Sequence, residues 1–307
     1  VIKVFEEISF SLHFDNADFS KTDEIKQKYN SPIFSPVYNM LDYKIENEIR
    51  DDLINYPITY VIIANEIFRG HLDEFINWKI KKGFHVEVGF TDEVGSNTTA
   101  LKNYIQQLYN NPAIGVSPPS FVLMVGAVAQ LPTFSGNTGN HPTDLYYCEF
   151  TNDYLPEIYY GRFSAETPNQ LLSQINKTLE YEKFEMPDPS FLSEVVMIAG
   201  VDGNYASTYG NGQINYGTEY YFNETNNIYS HTYLYPTSNQ NWVDSQIRED
   251  VSNGAGFVNY TAHGYEGGWA DPSFTVNDIN NLSNDSKYPL MVGNCCITNQ
   301  FESGTCF

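Results

Sequence analysis

The sequence predicts an α/β fold built on mainly parallel sheets with helices packed against them. Short, continuously apolar segments of strand length alternate with amphipathic helical segments from Tyr60 onward. Continuously apolar strands are typical of sheets buried on both faces, and their alternation with helices is typical of βαβ units. The composition is globular, with 41% hydrophobic, 15% aromatic and 18% charged residues, so a chain of 307 residues can bury a large core.

The predicted elements follow from these apolar and amphipathic segments. The strand candidates are YVIIAN from Tyr60, HVEVGFT from His85, FVLMVGAV from Phe121, VVMIAGVD from Val195, GFVNYTAH from Gly256 and YPLMVGNCC from Tyr288. The helical segments span residues 71–83, 97–111, 168–184 and 241–254, with Asn97 or Thr98 as an N-cap and Gly83 as a C-terminal glycine. DLYYCEF from Asp144 and EIYYGRFSA from Glu157 are predicted to make a hairpin-like addition to the sheet.

The chain divides into three predicted units. Residues 1–45 start with an alternating strand pattern and continue as a polar, turn-rich linker, which is typical of the end of a β-rich unit. The prolines of EMPDPS, after a long helix, predict a boundary between a subdomain of residues 46–189 and a second one of residues 190–307. Because the sequence opens in mid-strand without an initiator Met or a signal peptide, we expect an internal fragment of a longer precursor.

The charge balance is strongly acidic. Sixteen Lys and Arg residues against 38 Asp and Glu residues give a formal net charge of −22. Such a surface repels nucleic acid and anionic membranes, and it suits a soluble extracellular protein whose carboxylates can hold divalent cations. No segment approaches the roughly 18 consecutive apolar residues of a membrane span. We therefore expect neither a nucleic-acid partner nor a membrane span in this chain.

Four cysteines are present, and two of them are adjacent: Cys148, Cys295, Cys296 and Cys306. An adjacent pair fits neither the spacing of a CxxC zinc site nor an ordinary long-loop disulfide. The spacing therefore argues against a disulfide framework and favours a reactive thiol.

Three predicted strands end on side chains that can take part in catalysis. VVMIAGVD ends at Asp202, GFVNYTAH at His263, and YPLMVGNCC at Cys295 and Cys296. Ligands of open α/β sheets bind beyond the carboxyl ends of the strands. A thiol, an imidazole that ionises it and an acid that orients the imidazole are the groups that a thiol hydrolase needs. The amide of Gly264, together with that of the nucleophilic cysteine, would form a two-donor oxyanion hole.

Each of these residues also has a structural interpretation. A histidine at a strand end is often structural, a buried cysteine is usually a small hydrophobic residue, and Asp202 can bend the DGN turn that follows it. A Cys/His metal site is a further alternative, for which adjacent cysteines offer poor ligand geometry. Spacing alone does not prove that the three strand ends are neighbours, so the pattern favours a thiol hydrolase and leaves the alternatives open.

Two long segments resemble the active-site segments of the gingipain family of cysteine peptidases, in particular those of its lysine-specific type. They are NYTAHGYEGGWADP (residues 259–272) and GNCCITNQF (residues 293–301). WKIKKGFHVEV, TDLYYCEFTNDYLPEIYYGRFSA and YEKFEMPDPSFLSEVVMIAGVD also resemble the family in order and spacing, so the likeness runs from about Tyr60 to the chain end. The N-terminal strand and linker resemble the end of a family propeptide. The resemblance implies a caspase-like fold with two adjacent α/β subdomains, and a secreted zymogen that becomes an endopeptidase acting through an acyl-enzyme.

The resemblance also implies roles for individual residues. Cys296 matches the nucleophile, His263 its proton-transfer partner, and Asp202 the acid that orients the histidine, which is Glu in arginine-specific members. The oxyanion donors would be the amides of Gly264 and Cys296. Cys295 is then a neighbour that packs inward, because adjacent strand residues face opposite sides.

Substrate preference is implied less directly. Arginine-specific members carry an Asp shortly after the acid, and an ungapped comparison puts Gln213 there. Thr261 and Asn294 match positions near the lysine-type pocket, whose acidic determinant lies in a segment beyond this chain. The resemblance therefore implies cleavage after a basic P1 residue, with Lys favoured over Arg.

Further expectations follow from the same resemblance. They are protein or peptide substrates, the chain's own propeptide as a partner, no cofactor for the chemistry, a structural calcium ion, and an extracellular or bacterial cell-surface location. The alternatives are a catalytically silent surface module of the same fold, which would serve adhesion or interaction, and a hydrolase with non-peptide or self-processing chemistry.

Overall fold

A computed structural model of the chain describes residues 57–139, 141–302 and 305–307. The predicted β-strand and linker of residues 1–45 lie outside these residues. The strands are β1 Thr59–Ala64, β2 His85–Phe90, β3 Pro119–Val125, β4 Phe134–Ser135, β5 Pro142–Thr143, β6 Tyr159–Phe163, β7 Glu194–Ala199, β8 Tyr229–Tyr233, β9 Phe257–Thr261, β10 Gly264–Tyr265, β11 Gly268–Trp269, β12 Phe274–Thr275 and β13 Leu290–Asn294. The α-helices are α1 Asp73–Lys81, α2 Thr91–Val94, α3 Thr98–Asn110, α4 Leu145–Cys148, α5 Pro168–Lys183, α6 Asn211–Tyr220, α7 Val243–Asn253 and α8 Val276–Ile279.

The first of two four-stranded sheets has the strand order β2-β1-β3-β6 and is parallel throughout. Both faces of this sheet are covered by helices. Successive side chains of β1 point to opposite faces, and each set packs against a different group of helices. Ile62 and Ala64 pack with residues of α1 and α5, whereas Val61 and Ile63 pack with Leu101 of α3 and its neighbours. Burial on both faces explains why the strand is apolar at nearly every position.

The second four-stranded sheet has the order β13-β9-β7-β8 and is also parallel. In β7, Val196 and Ile198 face the helix α7, whereas Val195, Met197 and Ala199 pack with Ile214 of α6. The α/β fold with mainly parallel sheets that the sequence predicts is therefore confirmed. The two sheets lie on either side of residues 185–190 in sequence, and the subdomain boundary itself stays a prediction.

The helix termini follow the predicted local chemistry. The side chain of Asn97 accepts a hydrogen bond from the amide of Ala100 and caps α3, and Gly83 follows α1 with a φ of +94°. A left-handed backbone at that position suits glycine, which has no Cβ to clash.

The hairpin predicted from DLYYCEF and EIYYGRFSA is wrong. The first segment forms the short helix α4, and only the second forms a strand, β6, which pairs in parallel with β3. Tyr147 and Cys148 are buried in the core on one face of the sheet, and such short apolar pairs do not distinguish a helical turn from a strand.

The strand β8, a helical segment and a small sheet were not predicted. A π-helix, Ala206–Gly210, leads directly into α6, and β10, β11 and β12 form a three-stranded antiparallel sheet. This small sheet carries Trp269 and Phe274 into the core beside α7. None of the helices in the described ranges is long and apolar enough to cross a membrane.

Candidate active site

The strand register brings the three predicted strand ends together. Thr261, the last residue of β9, lies opposite both Asn294, the last residue of β13, and Ala199, the last residue of β7. Since the strands are parallel and adjacent, the residues that follow them emerge at one edge of the sheet. His263 follows the central strand, with Asp202 after one neighbouring strand and Cys296 after the other.

His263 and Asp202 form a close pair. The imidazole Nε2 lies 3.1 Å from Oδ2 of Asp202, and the histidine side chain is 64% exposed whereas the aspartate is 19% exposed. Oδ1 of Asp202 accepts hydrogen bonds from the amides of Asn204 at 2.8 Å and Tyr205 at 3.0 Å. These two backbone bonds, and then the neighbouring imidazole, hold the pKa of Asp202 below its usual range. The carboxylate is therefore fixed and ionised, and the Nδ1 edge of the imidazole points away from it.

Two hydrogen-bond donors hold the backbone of His263 in place. Its carbonyl oxygen accepts a hydrogen bond from the amide of Ala270 at 3.0 Å and one from the hydroxyl of Tyr260 at 2.8 Å. The ring of Tyr260 stacks on Trp269 with 4.6 Å between centroids and 7° between planes. Tyr260 is therefore a positioning residue, which sequence analysis missed because an apolar-looking strand residue gives no sign of where its hydroxyl is bonded.

The strand ends that carry His263 and Asp202 are also joined to each other. The carbonyl oxygen of Asp271 accepts hydrogen bonds from the hydroxyl of Tyr260 at 3.2 Å and from the amide of Val201 at 2.8 Å. The connection between β11 and β12 of the small sheet thereby links β9 with the segment that precedes Asp202. This connection fixes the separation of the acid and the imidazole.

The two adjacent cysteines have different surroundings. Cys296 is exposed at the sheet edge, whereas Cys295 packs against the core beside α7, with its Sγ 3.5 Å from the hydroxyl of Thr298. Burial raises the pKa of the Cys295 thiol. This arrangement agrees with the expectation that Cys295 packs inward, and it leaves Cys296 as the accessible thiol of the pair.

The chain turns sharply immediately after Cys296. Ile297 has a φ of +49°, a left-handed conformation that is strained for a β-branched residue. Strained backbone of this kind occurs where the surrounding structure imposes it, often at functional sites. Here it presents Cys296 at the end of β13 instead of continuing the strand.

Gly264 lies where the histidine loop and the cysteine loop approach each other closely. A Cβ at this position would lie 2.8 Å from the carbonyl oxygen of Cys296 and 3.0 Å from Sγ of Cys295, so any larger residue would force the loops apart. Because the amide of Ala270 bonds to the carbonyl of His263, Gly264 and Trp269 face each other as a pair that exchanges no ladder hydrogen bonds. The Gly264 amide is therefore not used by the ladder that β10 forms with β11.

The residues matched to a substrate pocket lie at the same edge. The hydroxyl of Thr261 donates a hydrogen bond to Oε1 of Gln213 at 2.6 Å, and Asn294 lies opposite Thr261 in the strand register. Gln213 comes from α6, so the pocket position is lined by neutral polar side chains from the helix and the two strands.

The described residues do not offer a metal site of the expected kind. No group of three or more His, Cys, Asp or Glu side chains that could hold a metal ion occurs in residues 57–139, 141–302 and 305–307. All four cysteines fall within these ranges and are unpaired. The structural calcium ion therefore stays a prediction, and no part of the chemistry is assigned to it.

A parallel α/β sheet that delivers a thiol, an imidazole and a carboxylate at neighbouring strand ends is the arrangement of a thiol hydrolase. Comparison with known proteins identifies the particular family. The chain belongs to peptidase family C25, whose family model matches residues 54–307.

Individual relatives agree with this assignment. The chain is 36% identical over 303 residues to Lys-gingipain of Porphyromonas gingivalis and 25% identical over 244 residues to Gingipain R2 of the same species. These matches cover 98% and 78% of the chain. A solved structure described as "Structure of Protease" superimposes with a TM-score of 0.76 at 37% identity over 83% of the chain, and that of an Arg specific cysteine proteinase, gingipain R, with 0.70 at 24% identity over 83%. The fold is therefore the caspase-like α/β fold that the resemblance implies.

The chain is shorter than the proteins it matches. It spans 17% of the length of Lys-gingipain and 32% of Gingipain R2, and 56% and 58% of the two solved chains. The higher identity to Lys-gingipain agrees with the predicted likeness to the lysine-specific type.

Proposed function

We propose that this chain is the catalytic part of a cysteine endopeptidase, in which Cys296 is the nucleophile and His263 transfers its proton. The observation that carries the proposal is the position of His263 at the end of β9, paired with Asp202 from β7 and adjacent to the strand that ends at Cys296. The order of strands in the sheet is then the order of thiol, imidazole and carboxylate.

In the acylation step, His263 takes the proton from Sγ of Cys296, and the thiolate attacks the carbonyl carbon of the scissile peptide bond. A bond forms between sulfur and carbon while the carbonyl π electrons move to oxygen. The amides of Gly264 and Cys296 donate hydrogen bonds to this oxyanion. The intermediate then collapses, the bond between carbon and nitrogen breaks, and the imidazolium protonates the departing amine.

In the deacylation step, His263 takes a proton from a water molecule that attacks the thioester. The bond between sulfur and carbon breaks, the acid product leaves, and the proton returns to the thiolate. Asp202 orients the imidazole in both steps and stabilises its charged form, because its own carboxylate is fixed by the amides of Asn204 and Tyr205.

The proposed substrates are proteins cleaved after a basic P1 residue, with Lys favoured over Arg. The greater identity to Lys-gingipain than to Gingipain R2 supports this preference. Gln213 argues against an arginine pocket of the kind that carries an Asp at this position, because a neutral amide beside Thr261 lacks the charge that a guanidinium would pair with. Thr261 and Asn294 would line this pocket.

The biological setting is proposed from the relatives. We place the protein outside the cell or at a bacterial cell surface, as a zymogen whose propeptide ends within residues 1–45 and whose catalytic unit has subdomains at 46–189 and 190–307. One of the similar solved structures is a complex of pro- and mature domains of a Porphyromonas gingivalis gingipain, which supports a propeptide as a partner. Structural calcium belongs to the same proposal.

The test is selective alkylation of the full-length natural protein after maturation. Limiting iodoacetamide at mildly acidic pH is followed by peptide mapping. An ordinary thiol, with a pKa of about 8.5, is almost entirely protonated under these conditions, whereas a thiolate paired with histidine reacts quickly. We expect Cys296 to be labelled first, and the labelling to slow sharply in His263→Ala. Cleavage of Lys-containing peptides should fall about 10⁴-fold in Cys296→Ala.

Cys295→Ala is the matched control, because it removes the neighbouring thiol and leaves the proposed nucleophile in place. It should retain both the labelling of Cys296 and the cleavage of peptides. Slow and indifferent labelling of all four cysteines would overturn the proposal and favour a catalytically silent surface module.

A further inference from the structure

A stripe of exposed tyrosines runs along the helical segment that follows Asp202. The buried side of this segment consists of Ala206, Gly210 and Ile214, and a Cβ on Gly210 would already lie 3.5 Å from Ala199 of β7. Small residues therefore let the helix lie close against the sheet. The residues before these three, Tyr205, Tyr209 and Gln213, are exposed and form a second stripe beside the buried one. Tyr216 and Tyr220 continue this stripe at helical spacing.

The four aromatic members, which we call the tyrosine stripe, are 56% to 69% exposed. The ring centroids of Tyr205 and Tyr209 are 6.0 Å apart, and those of Tyr216 and Tyr220 are 4.8 Å apart. The core does not require these side chains, because the buried stripe already holds the helix on the sheet. A row of exposed aromatic rings is typical of a surface that binds another molecule.

The tyrosine stripe is continuous with the candidate active site. The backbone amide of Tyr205, its first member, donates a hydrogen bond to Oδ1 of Asp202. Gln213, in the middle of the same helical face, accepts a hydrogen bond from Thr261 at the end of β9. The stripe therefore begins at the orienting acid and passes the pocket position before it leads away along α6.

The charge of residues 190–307, which carry the stripe, indicates what kind of partner it would bind. Residues 190–307 contain twelve Asp and Glu residues and only two Lys and Arg residues. Both cations are already paired with carboxylates, Arg248 with Asp278 at 3.4 Å and Lys287 with Asp188 at 2.8 Å. This half of the chain attracts cationic segments over a distance, and the faces of aromatic rings attract cations at contact.

The spacing of the rings is close enough to that of an extended polypeptide for neighbouring rings to be contacted together. Members of the stripe recur about once per helical turn, which is about 5.4 Å. Alternate side chains of an extended strand point the same way and recur about every 6.7 Å. A strand laid along the helix would thus present every second side chain to the stripe, with an offset of about 1.3 Å per ring.

We infer that the tyrosine stripe is an extended subsite for polypeptide substrates, which binds Lys or Arg side chains at alternate positions remote from the cleaved bond. The inference rests on the proposed peptidase function, because the substrate is what connects the stripe with the site. Cation–π contacts on Tyr209 and Tyr216 are its central interactions, and the acidic surroundings exclude acidic segments.

The experiment measures binding without cleavage, in the full-length natural protein carrying Cys296→Ala. The probe is a fluorescently labelled twelve-residue peptide of alternating Lys and Ser, and its anisotropy reports the Kd. Each ring contributes about two- to fivefold to the affinity, so Tyr209→Ser with Tyr216→Ser should weaken binding about five- to twentyfold. The corresponding double Phe variant keeps the rings and should stay within about twofold, and a peptide of alternating Glu and Ser should not bind.

Tyr181→Ser is the matched control, because Tyr181 is a half-exposed tyrosine on α5 in the other half of the chain. It should leave the Kd unchanged. Tyr209→Trp tests for a gain of affinity instead of a loss. Indole attracts cations more strongly than a phenol ring does, so this variant should bind the peptide with a lower Kd.

Three results would overturn the inference. They are an unchanged Kd in the double Ser variant, an equal loss in the Phe variant, and equal binding of the Glu peptide. Failure of the peptidase proposal is seen separately, as the absence of peptide cleavage by the protein with Cys296 intact. A peptidase that cleaves short Lys peptides normally, while the double Ser variant still binds the long probe, would refute the tyrosine stripe alone.

Discussion

The two parallel sheets of this protein differ in the exposure of the polar side chains at the ends of their strands. At the end of the first sheet, Arg162 of β6 forms a two-pronged pair with Asp144, at 2.7 Å for both contacts, and also donates to the carbonyls of Gly126 and Leu131. These two charged side chains are only 6% and 8% exposed. At the end of the second sheet, His263 is 64% exposed and Cys296 lies at the surface.

The difference shows that a position beyond the carboxyl ends of strands is not sufficient for chemistry. In the first sheet the pair is hydrogen-bonded internally and closed to solvent, so it is not available to exchange protons with a substrate. In the second, the acid is fixed by backbone amides while the imidazole and the thiol remain accessible. Accessible groups with unused bonding capacity are the ones that can exchange protons with a substrate.

Removal of Arg162 tests the structural half of this comparison and should have the largest effect. Arg162→Ala leaves the Asp144 carboxylate buried without its partner, which lowers the free energy of unfolding by about 3–5 kcal/mol. Arg69→Ala is the matched control, because Arg69 contacts Asp92 at the same 2.7 Å but both side chains are nearly half exposed. An ion pair exposed to this degree is screened by solvent and contributes little to stability.

Thermal unfolding of the natural protein and of the two variants measures the difference. A clearly lower midpoint is expected for Arg162→Ala only. Equal midpoints for the two variants would mean that burial does not distinguish the first sheet from the second.

The sequence predicted β1, β2, β3, β7, β9 and β13, because continuously apolar segments of strand length are visible without a structure. It did not predict β8, whose sequence YSHTY is polar and mostly not buried, and it assigned β6 to a hairpin. It also indicated Asp202, His263 and the adjacent pair Cys295 and Cys296, because a polar residue directly after such a strand stands out. The resemblance to the family then singled out Cys296. It did not predict that β9 lies between β7 and β13, since strand order is decided by crossover connections and not by local pattern. The structure therefore supplied the adjacency on which the proposed chemistry depends.

The features that were missed have weak local signals. The helical segment from Ala206 to Tyr220 is rich in Gly, Asn and Tyr, which are poor helix formers, and it is held by packing against β7. The pair of Arg162 and Asp144 joins residues 18 positions apart and carries no motif. Contacts of this kind belong to tertiary structure and were not accessible from propensity or periodicity.

Gly264→Ala tests the catalytic half of the comparison, and we expect the next largest effect. The added methyl group would lie 2.8 Å from the carbonyl oxygen of Cys296, so the loops must separate and the proposed oxyanion donors move apart. Loss of one such donor lowers kcat about 10²- to 10³-fold, so a fall of about 100-fold is expected. Peptide cleavage by the matured natural protein provides the measurement.

Gly212→Ala is the control for this substitution. A Cβ at Gly212 meets no atom within 4 Å, and alanine is the better helix former inside α6. Its cleavage rate should match that of the parent, and a normal rate in Gly264→Ala would exclude this close contact from the chemistry.

Asp202→Asn should have the smallest effect on activity. Asparagine keeps an oxygen for the amides of Asn204 and Tyr205 but removes the charge beside His263. Because the imidazole is mostly exposed, solvent screens the lost attraction, and kcat should fall only about two- to fivefold. A fall of a thousandfold would mean that substrate binding buries the pair and strengthens it.

The pH dependence of the activity of Asp202→Asn shows over which pH range the charge of Asp202 supports catalysis. The pKa of Asp202 is lowered, so its carboxylate stays ionised when the pH falls through the ordinary aspartate value of about 3.9. The ratio of parent to variant activity should therefore stay constant down to that pH and fall towards one only below it. The contribution of Asp202 to folding stability follows the same sign, being complete above the ordinary value and lost as the pH falls through the lowered one. A ratio that already declines above pH 5 would show that Asp202 is not held in its charged form, and the second sheet would then lack the fixed acid that distinguishes it from the first.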